Sequence, residues 1–166
     1  MTLNDLNKQI CNCRKCRLWQ TAKNAVPGEG PQNAKLMLIG QNPGEEEDKT
    51  GKPFVGRAGK FLDKALAESG INREEIFITN AVKHVTPGNR KPYPDEVEAC
   101  LLYLKTQLEA INPKIVVLMG TVAWQTPRLK GIEYVETVHP SAAMRFTKMR
   151  KRFMNDFAAL KTIIAK

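Results

Sequence analysis

Four short apolar runs punctuate the chain: "KLMLIG" (35–40), "EIFITN" (75–80), "KIVVLMG" (114–120) and "EYVETV" (133–138). Each is bounded by Gly, Asn or Pro, and each predicts a buried strand. Helical patterns lie between and after them. "RAGKFLDKALAESG" places apolar residues at 58, 61, 62, 65 and 66 and stops at Gly70. "YPDEVEACLLYLKTQLEAINP" opens on an acid-rich first turn and ends at Pro113, and residues 147–165 form a third helix. Strands that alternate with helices predict an α/β chain, a three-layer α/β/α sandwich around a central four-stranded, mainly parallel sheet. A single domain over residues 1–166 is expected.

Sheets of this kind hold ligands beyond the carboxyl ends of their strands. The first strand runs out into Gly40-Gln41-Asn42-Pro43-Gly44 and the second into Thr79-Asn80, closely followed by His84. The third runs into Gly120-Thr121 and the fourth into His139-Pro140-Ser141. Amides and histidine therefore gather at one edge, a setting for hydrogen-bonding a flat polar ligand.

Charge adds a partner class. Lys and Arg number 26 against 17 Asp and Glu, a net charge of +9. From Arg145 onward the chain carries Arg145, Lys148, Arg150, Lys151, Arg152, Lys161 and Lys166 against Asp156 alone. Such a surface is either a solvated helix face or a site for polyanions, whose phosphates release counterions when neutralised. No run approaches the roughly 18 apolar residues of a membrane span, and the N-terminus lacks the apolar segment of a signal peptide. The expectation is a cytoplasmic, nucleoid-associated protein, monomeric and away from membranes. Three cysteines cluster in "CNCRKC" (Cys11, Cys13, Cys16) and the fourth is Cys100; without export signals, a cluster of this kind points to metal more than to disulfides.

Each motif also has an ordinary structural reading. "GQNPG" suits a turn. Phe54, in the glycine-rich "TGKPFVGRAG", is either a hydrophobic plug or a platform on which a base stacks. His139 in "HPSAAMR", at a strand-to-loop corner, would serve equally as a cap.

Taken together, "CRKC", "VPGEGPQNAKLMLIG", "PGEEEDKTGKPFVGRAG", "IFITNAVK", "TPGNRKPYPDEVEAC", "INPKIVVLMG" and "HPSAAMR" resemble, in order and spacing, the uracil-DNA glycosylases of family 4, the iron–sulfur type. The resemblance implies a monofunctional enzyme that hydrolyses the N-glycosidic bond of uracil in DNA and leaves an abasic site for base-excision repair. The base would first be flipped out of the stack. Phe54 would stack on it, Asn80 would read its edge against cytosine, and His139 would bond O2 as charge develops there, a contribution of roughly 3 to 4 kcal/mol. Gln41 would also touch uracil. On the DNA side the resemblance implies Asn89, Arg90, Ser141, Met144 as wedge and Arg145 on a phosphate.

The sequence departs from the family at two places. Gln41 stands where family 4 has Glu, and Asn42 stands where the family 1 loop has Asp and the mismatch-specific family has Asn. Neither amide takes a proton near neutral pH, so each would only position water; a general base would come from the run Glu45, Glu46, Glu47 and Asp48, with Glu47 and Asp48 the candidates. An acid run at a helix N-terminus is the structural alternative. At the cluster, Cys13, Cys16 and Cys100 match the ligand pattern and His84 stands at the remaining position, with Cys11 as the alternative fourth ligand. A [4Fe-4S] cluster is implied, with [3Fe-4S] or zinc as alternatives. A glycosylase for hypoxanthine or a mismatched base, and a catalytically silent DNA-binding protein, remain as other readings.

Overall fold

The structure, a computed structural model, describes residues 2–165; Lys166, counted above in the basic tail, lies outside the described residues. Each apolar run becomes a strand: β1 (Leu36–Gly40), β2 (Phe77–Asn80), β3 (Ile115–Met119) and β4 (Glu133–Thr137). Their order is β2-β1-β3-β4 and every pairing is parallel, so the sheet is parallel throughout. β1, β2 and β3 are buried along their whole length. Burial on both faces is why β1 and β3 read as unbroken apolar runs, whereas the edge strand β2 ends in Thr79 and Asn80 and the edge strand β4 mixes in Glu133 and Glu136.

Alternate side chains point to opposite faces of the sheet. Met37, Ile39, Phe77, Val116 and Leu118 meet α1 (Leu3–Cys11) and α4 (Pro94–Ile111). Leu36, Leu38, Ile78, Ile115 and Val117 meet α3 (Arg57–Glu68) and α6 (Thr147–Ala165). Burial of each such side chain contributes about 1.5–3 kcal/mol. On α6 the i,i+4 pair Phe153 and Phe157 stacks with ring centroids 4.4 Å apart, both fully buried.

The predicted helices start and stop where their cap chemistry dictates. Pro94 opens α4 and the Tyr93 N–H donates to the Glu96 carboxylate at 2.8 Å; Asn112, at φ +48°, closes it before Pro113. Two helices were not anticipated, and a third entered only as the structural alternative for the acid run. α1 is set by a capping box in which Thr2 and Asp5 each accept the other's backbone N–H. The six-residue helices α2 (Glu45–Thr50) and α5 (Pro140–Arg145) are too short to show a period. Among the described residues no helix is long and apolar enough to cross a membrane.

Candidate active site

β1 is flanked by β2 on one side and β3 on the other, so the chain reverses direction across the sheet there, and a crevice opens beyond the carboxyl ends of the strands. It holds a cleft of about 810 Å³. Gln41 and Asn42 from β1, Asn80 from β2, His139 after β4, and Phe54 and Asn89 from intervening loops all line it.

The floor is tightly packed. Phe54 is buried, and its ring lies 6.2 Å from that of His139, inclined by 34°. Asn80 is buried, and its Oδ1 has no hydrogen-bond partner. A buried acceptor left alone costs about 1–3 kcal/mol. Gly40 is glycine because a Cβ there would lie 2.5 Å from the Phe54 ring and 2.6 Å from Asn80 Oδ1.

Asn80 is held from below by Lys83. This lysine is fully buried, and its Nζ donates to Asn80 O (2.8 Å), Thr79 Oγ1 (2.7 Å) and Gln107 Oε1 (2.8 Å). Burial pushes its ammonium down to about 7. All three donors are used. No local pattern signals this role: a lysine three residues past a strand end is ordinarily exposed.

His139 caps α5, its Nδ1 accepting the Ser141 N–H at 3.1 Å. An acceptor at Nδ1 puts the ring proton on Nε2, and burial holds the imidazole down at about 4. His139 is therefore a neutral donor at neutral pH. Gly120, at φ +95°, stands against it; a Cβ there would come within 3.1 Å of His139 Cβ.

The loop after β1 is knitted to itself. Gln41 Nε2 donates to Asn42 Oδ1 at 3.0 Å, and Asn42 Nδ2 donates to Pro43 O at 2.8 Å.

The acid run behaves as a helix start. Glu45 and Glu46 lie at the mouth, exposed and paired with Lys49. Glu47, an expected candidate for a general base, has both oxygens engaged, and Asp48, the other, has one. Glu47 Oε1 accepts from Gly44 N (2.8 Å), and its Oε2 accepts from Val55 N (2.9 Å) and Gly56 N (2.7 Å). Asp48 Oδ1 accepts from Lys23 N and Asn24 N, and Asp48 lies off the cleft lining. The sequence signal for Glu47 was its place three residues into a helix that starts at Gly44.

On the rim, Ser141, Met144 and Arg145 line the cleft beside Asn89. Arg90 departs from expectation. Its guanidinium forks onto the buried Glu96 carboxylate (2.8 and 2.9 Å) and covers the Tyr93 ring at 3.7 Å, so its donors hold the 87–93 loop to α4. Arg150, in the basic tail, donates to Ala143 O (3.1 Å) and Met144 O (2.8 Å) and fixes the end of α5. Arg145, Lys148 and Lys151 are exposed on the same stretch.

Cys13, Cys16 and Cys100 share one neighbourhood where α1 ends against α4. Lys15 N donates to Cys13 Sγ at 3.5 Å. Burial raises Cys16 and pushes Cys100 up to about 11. Cys11 is exposed. His84 is buried and lowered by that burial, with Asp48 as the charge acting against it. Among the described residues, no group of three or more His, Cys, Asp and Glu is arranged to hold a single metal ion.

Comparison with known proteins agrees with this geometry. Residues 27–161 match the family model described as the uracil DNA glycosylase superfamily. A type-4 uracil-DNA glycosylase of Sulfurisphaera tokodaii is 38% identical, over 98% of this chain and 84% of that protein. The type-4 uracil-DNA glycosylase of Archaeoglobus fulgidus is 37% identical over 99% of this chain and 94% of its own length, and that of Thermotoga maritima is 37% identical over 97% and 94%. With a parallel-sheet cleft lined by Phe54, Asn80 and His139 and matches over nearly its full length, the chain belongs to the uracil DNA glycosylase superfamily.

Proposed function

We propose that the chain excises uracil from DNA by hydrolysing its N-glycosidic bond, and leaves an abasic site for repair. The observation that carries this reading is the partnerless Asn80 Oδ1 on the cleft floor beside Phe54. Uracil offers a donor at N3 and an acceptor at O4, which an amide satisfies with one oxygen and one NH2. Cytosine has an acceptor at N3 and an amine at position 4, so each contact would oppose like with like. A site built to pair polar groups rejects an analogue that leaves them unpaired.

The base would enter flipped from the stack, with one face on Phe54. The Nε2–H of His139 would meet O2 as negative charge builds on the leaving uracil. Since the imidazole is already neutral, it acts as a fixed dipole with no proton to give up. Gln41 would orient Asn42, whose Oδ1 would hold the water, and the 41–42 pair would position this water without taking its proton. Met144 would fill the vacated stack, and Arg145, with the exposed lysines of α6, would hold backbone phosphates.

We read the shared neighbourhood of Cys13, Cys16 and Cys100, where α1 meets α4, as the place for a thiolate-bound cluster. Cys13, Cys16 and Cys100 would hold it, with His84 as the fourth ligand and Cys11 as the alternative. A buried thiol pushed up to about 11 deprotonates readily only against metal charge. When bound, the cluster would be structural, tying the N-terminal segment to α4.

The test uses end-labelled oligonucleotides with one U opposite G, opposite A or unpaired, treated with alkali after incubation. Cleavage at U that falls sharply in His139→Ala establishes the activity. Binding without cleavage at U would overturn it and turn attention to hypoxanthine and mismatched bases, assayed in the same way.

A further inference from the structure

Phe54 occupies a backbone conformation that a side chain resists. Its φ is +49°, in the left-handed region, at a cost of order 1–3 kcal/mol for a residue with a Cβ. Two charged side chains hold it there. On the carbonyl side, Arg73 from the turn before β2 donates Nη1 to Phe54 O (2.9 Å) and Nη2 to Pro53 O (2.8 Å), while Asp63 of α3 pins the same guanidinium. On the amide side, the Glu47 carboxylate takes the N–H groups of Val55 and Gly56. Gly59 closes the back of the loop, where a Cβ would overlap Phe54 O. Four consecutive residues, 53–56, are thus gripped from both ends by charge-assisted bonds.

We propose that Arg73 is a positioning residue for the uracil platform, with Glu47 as its counterpart. The inference rests on the reading of Phe54 as the stacking face. Arg73 does not line the uracil cleft; it lines a separate groove behind the loop, so any effect on uracil passes through the backbone of Phe54. The guanidinium fork suits two adjacent carbonyls, and a lysine offers only one point of charge. Glu47 adds a second constraint. The oxygen that does not hold residues 55 and 56 holds Gly44 N, so one carboxylate sets the distance between the stacking loop and the water loop at 41–44.

The experiment measures inhibition of excision by free uracil, with kcat and KM, for Arg73→Lys, Phe54→Ala and the double variant. Arg73→Lys is expected to weaken uracil inhibition by about tenfold to a hundredfold, the loss of one charge-assisted hydrogen bond, while binding to a uracil-free duplex is unchanged. In the Phe54→Ala background the same substitution should add nothing. Asp63→Asn, which leaves the carbonyl bonds intact, should shift uracil inhibition in the same direction by less, and serves if Arg73→Lys folds poorly. Glu47→Gln should also weaken uracil inhibition, which loss of a general base alone would not do. A lowered Tm with unchanged uracil inhibition in Arg73→Lys, or an undiminished effect without Phe54, would overturn the proposal. If Phe54→Ala itself leaves uracil inhibition unchanged, the platform reading falls and takes the proposal with it.

Discussion

Asn80→Ala should make the free protein more stable and the enzyme much worse. In the folded chain the buried Oδ1 has no partner from the protein, at an expected cost of about 1–3 kcal/mol. Removing it should recover most of that, because the amide borders an open cleft and leaves no sealed cavity behind. A net gain of about 1.5 kcal/mol corresponds to a rise in Tm of about 3 to 6 °C for a chain of this size. With uracil bound the balance inverts. Two polar groups of the base would be buried without partners, each at about 1–3 kcal/mol, so kcat/KM should fall by between about thirtyfold and ten-thousandfold. Differential scanning calorimetry and single-turnover cleavage of a U:G duplex read the two effects separately. A Tm that stays level or falls would mean that Oδ1 is already satisfied by a bound water. Undiminished excision would mean that the edge of the base is read elsewhere.

His139 makes a pH prediction. Its folded value of about 4 lies below the ordinary 6.5, so the unfolded chain binds the extra proton between those values. Stability should fall by about 3 kcal/mol on this account as pH drops from 6.5 to 4, seen in urea midpoints and reduced in His139→Gln, with the buried His84 adding a smaller loss of the same sign; an acid limb of excision near pH 6.5 that disappears in His139→Gln would refute the neutral donor. Gly40→Ala should yield a folded protein with the uracil slot closed, since its Cβ would meet both the Phe54 ring and Asn80 Oδ1; normal excision by that variant would move the base elsewhere in the cleft. Cys100→Ala should lose bound iron, by elemental analysis and visible absorbance, and melt several degrees lower; an unchanged iron content would remove Cys100 from the ligand set.

The sheet was legible because burial on both faces leaves so plain a mark: β1 and β3 carry nothing polar, and the predicted bounds stand within two residues at every strand end. The gathering of Gln41, Asn80 and His139 was also legible, since parallel strands all deliver their carboxyl ends to one edge. Short helices were not. Six residues give α2 and α5 less than two turns, so only their caps, Glu47 after Gly44 and Pro140 after His139, signalled them. The direction of charged side chains was least legible. Arg90 was expected on DNA and is folded onto Glu96; Glu47 was expected as a base and grips backbone amides. Arg73 lies 19 residues from Phe54, and no local pattern encodes a contact that only the packing of α3 against the sheet creates.

Where the acids went bears on how the bond breaks. With Glu47 engaged by main-chain N–H groups, Asp48 off the cleft lining, and Glu45 and Glu46 exposed and paired with Lys49, none of these four acids is expected to take a proton from the water. Gln41 and Asn42 cannot take it either. A water that is held but not activated attacks well only when the sugar already carries positive charge, so the barrier should lie in the departure of uracil. The two polar ends of the site should then be unequal. Losing the His139 donor, which faces the developing charge, should cost about 3–4 kcal/mol, or a hundredfold to a thousandfold in kcat. Losing Asn42, a neutral amide holding a neutral water, should cost about 0.5–1.5 kcal/mol, or roughly two- to tenfold. Single-turnover rates of His139→Ala and Asn42→Ala on the same duplex decide it. Equal losses would mean that water attack shares the rate-limiting step, and that the 41–42 pair does more than hold it in place.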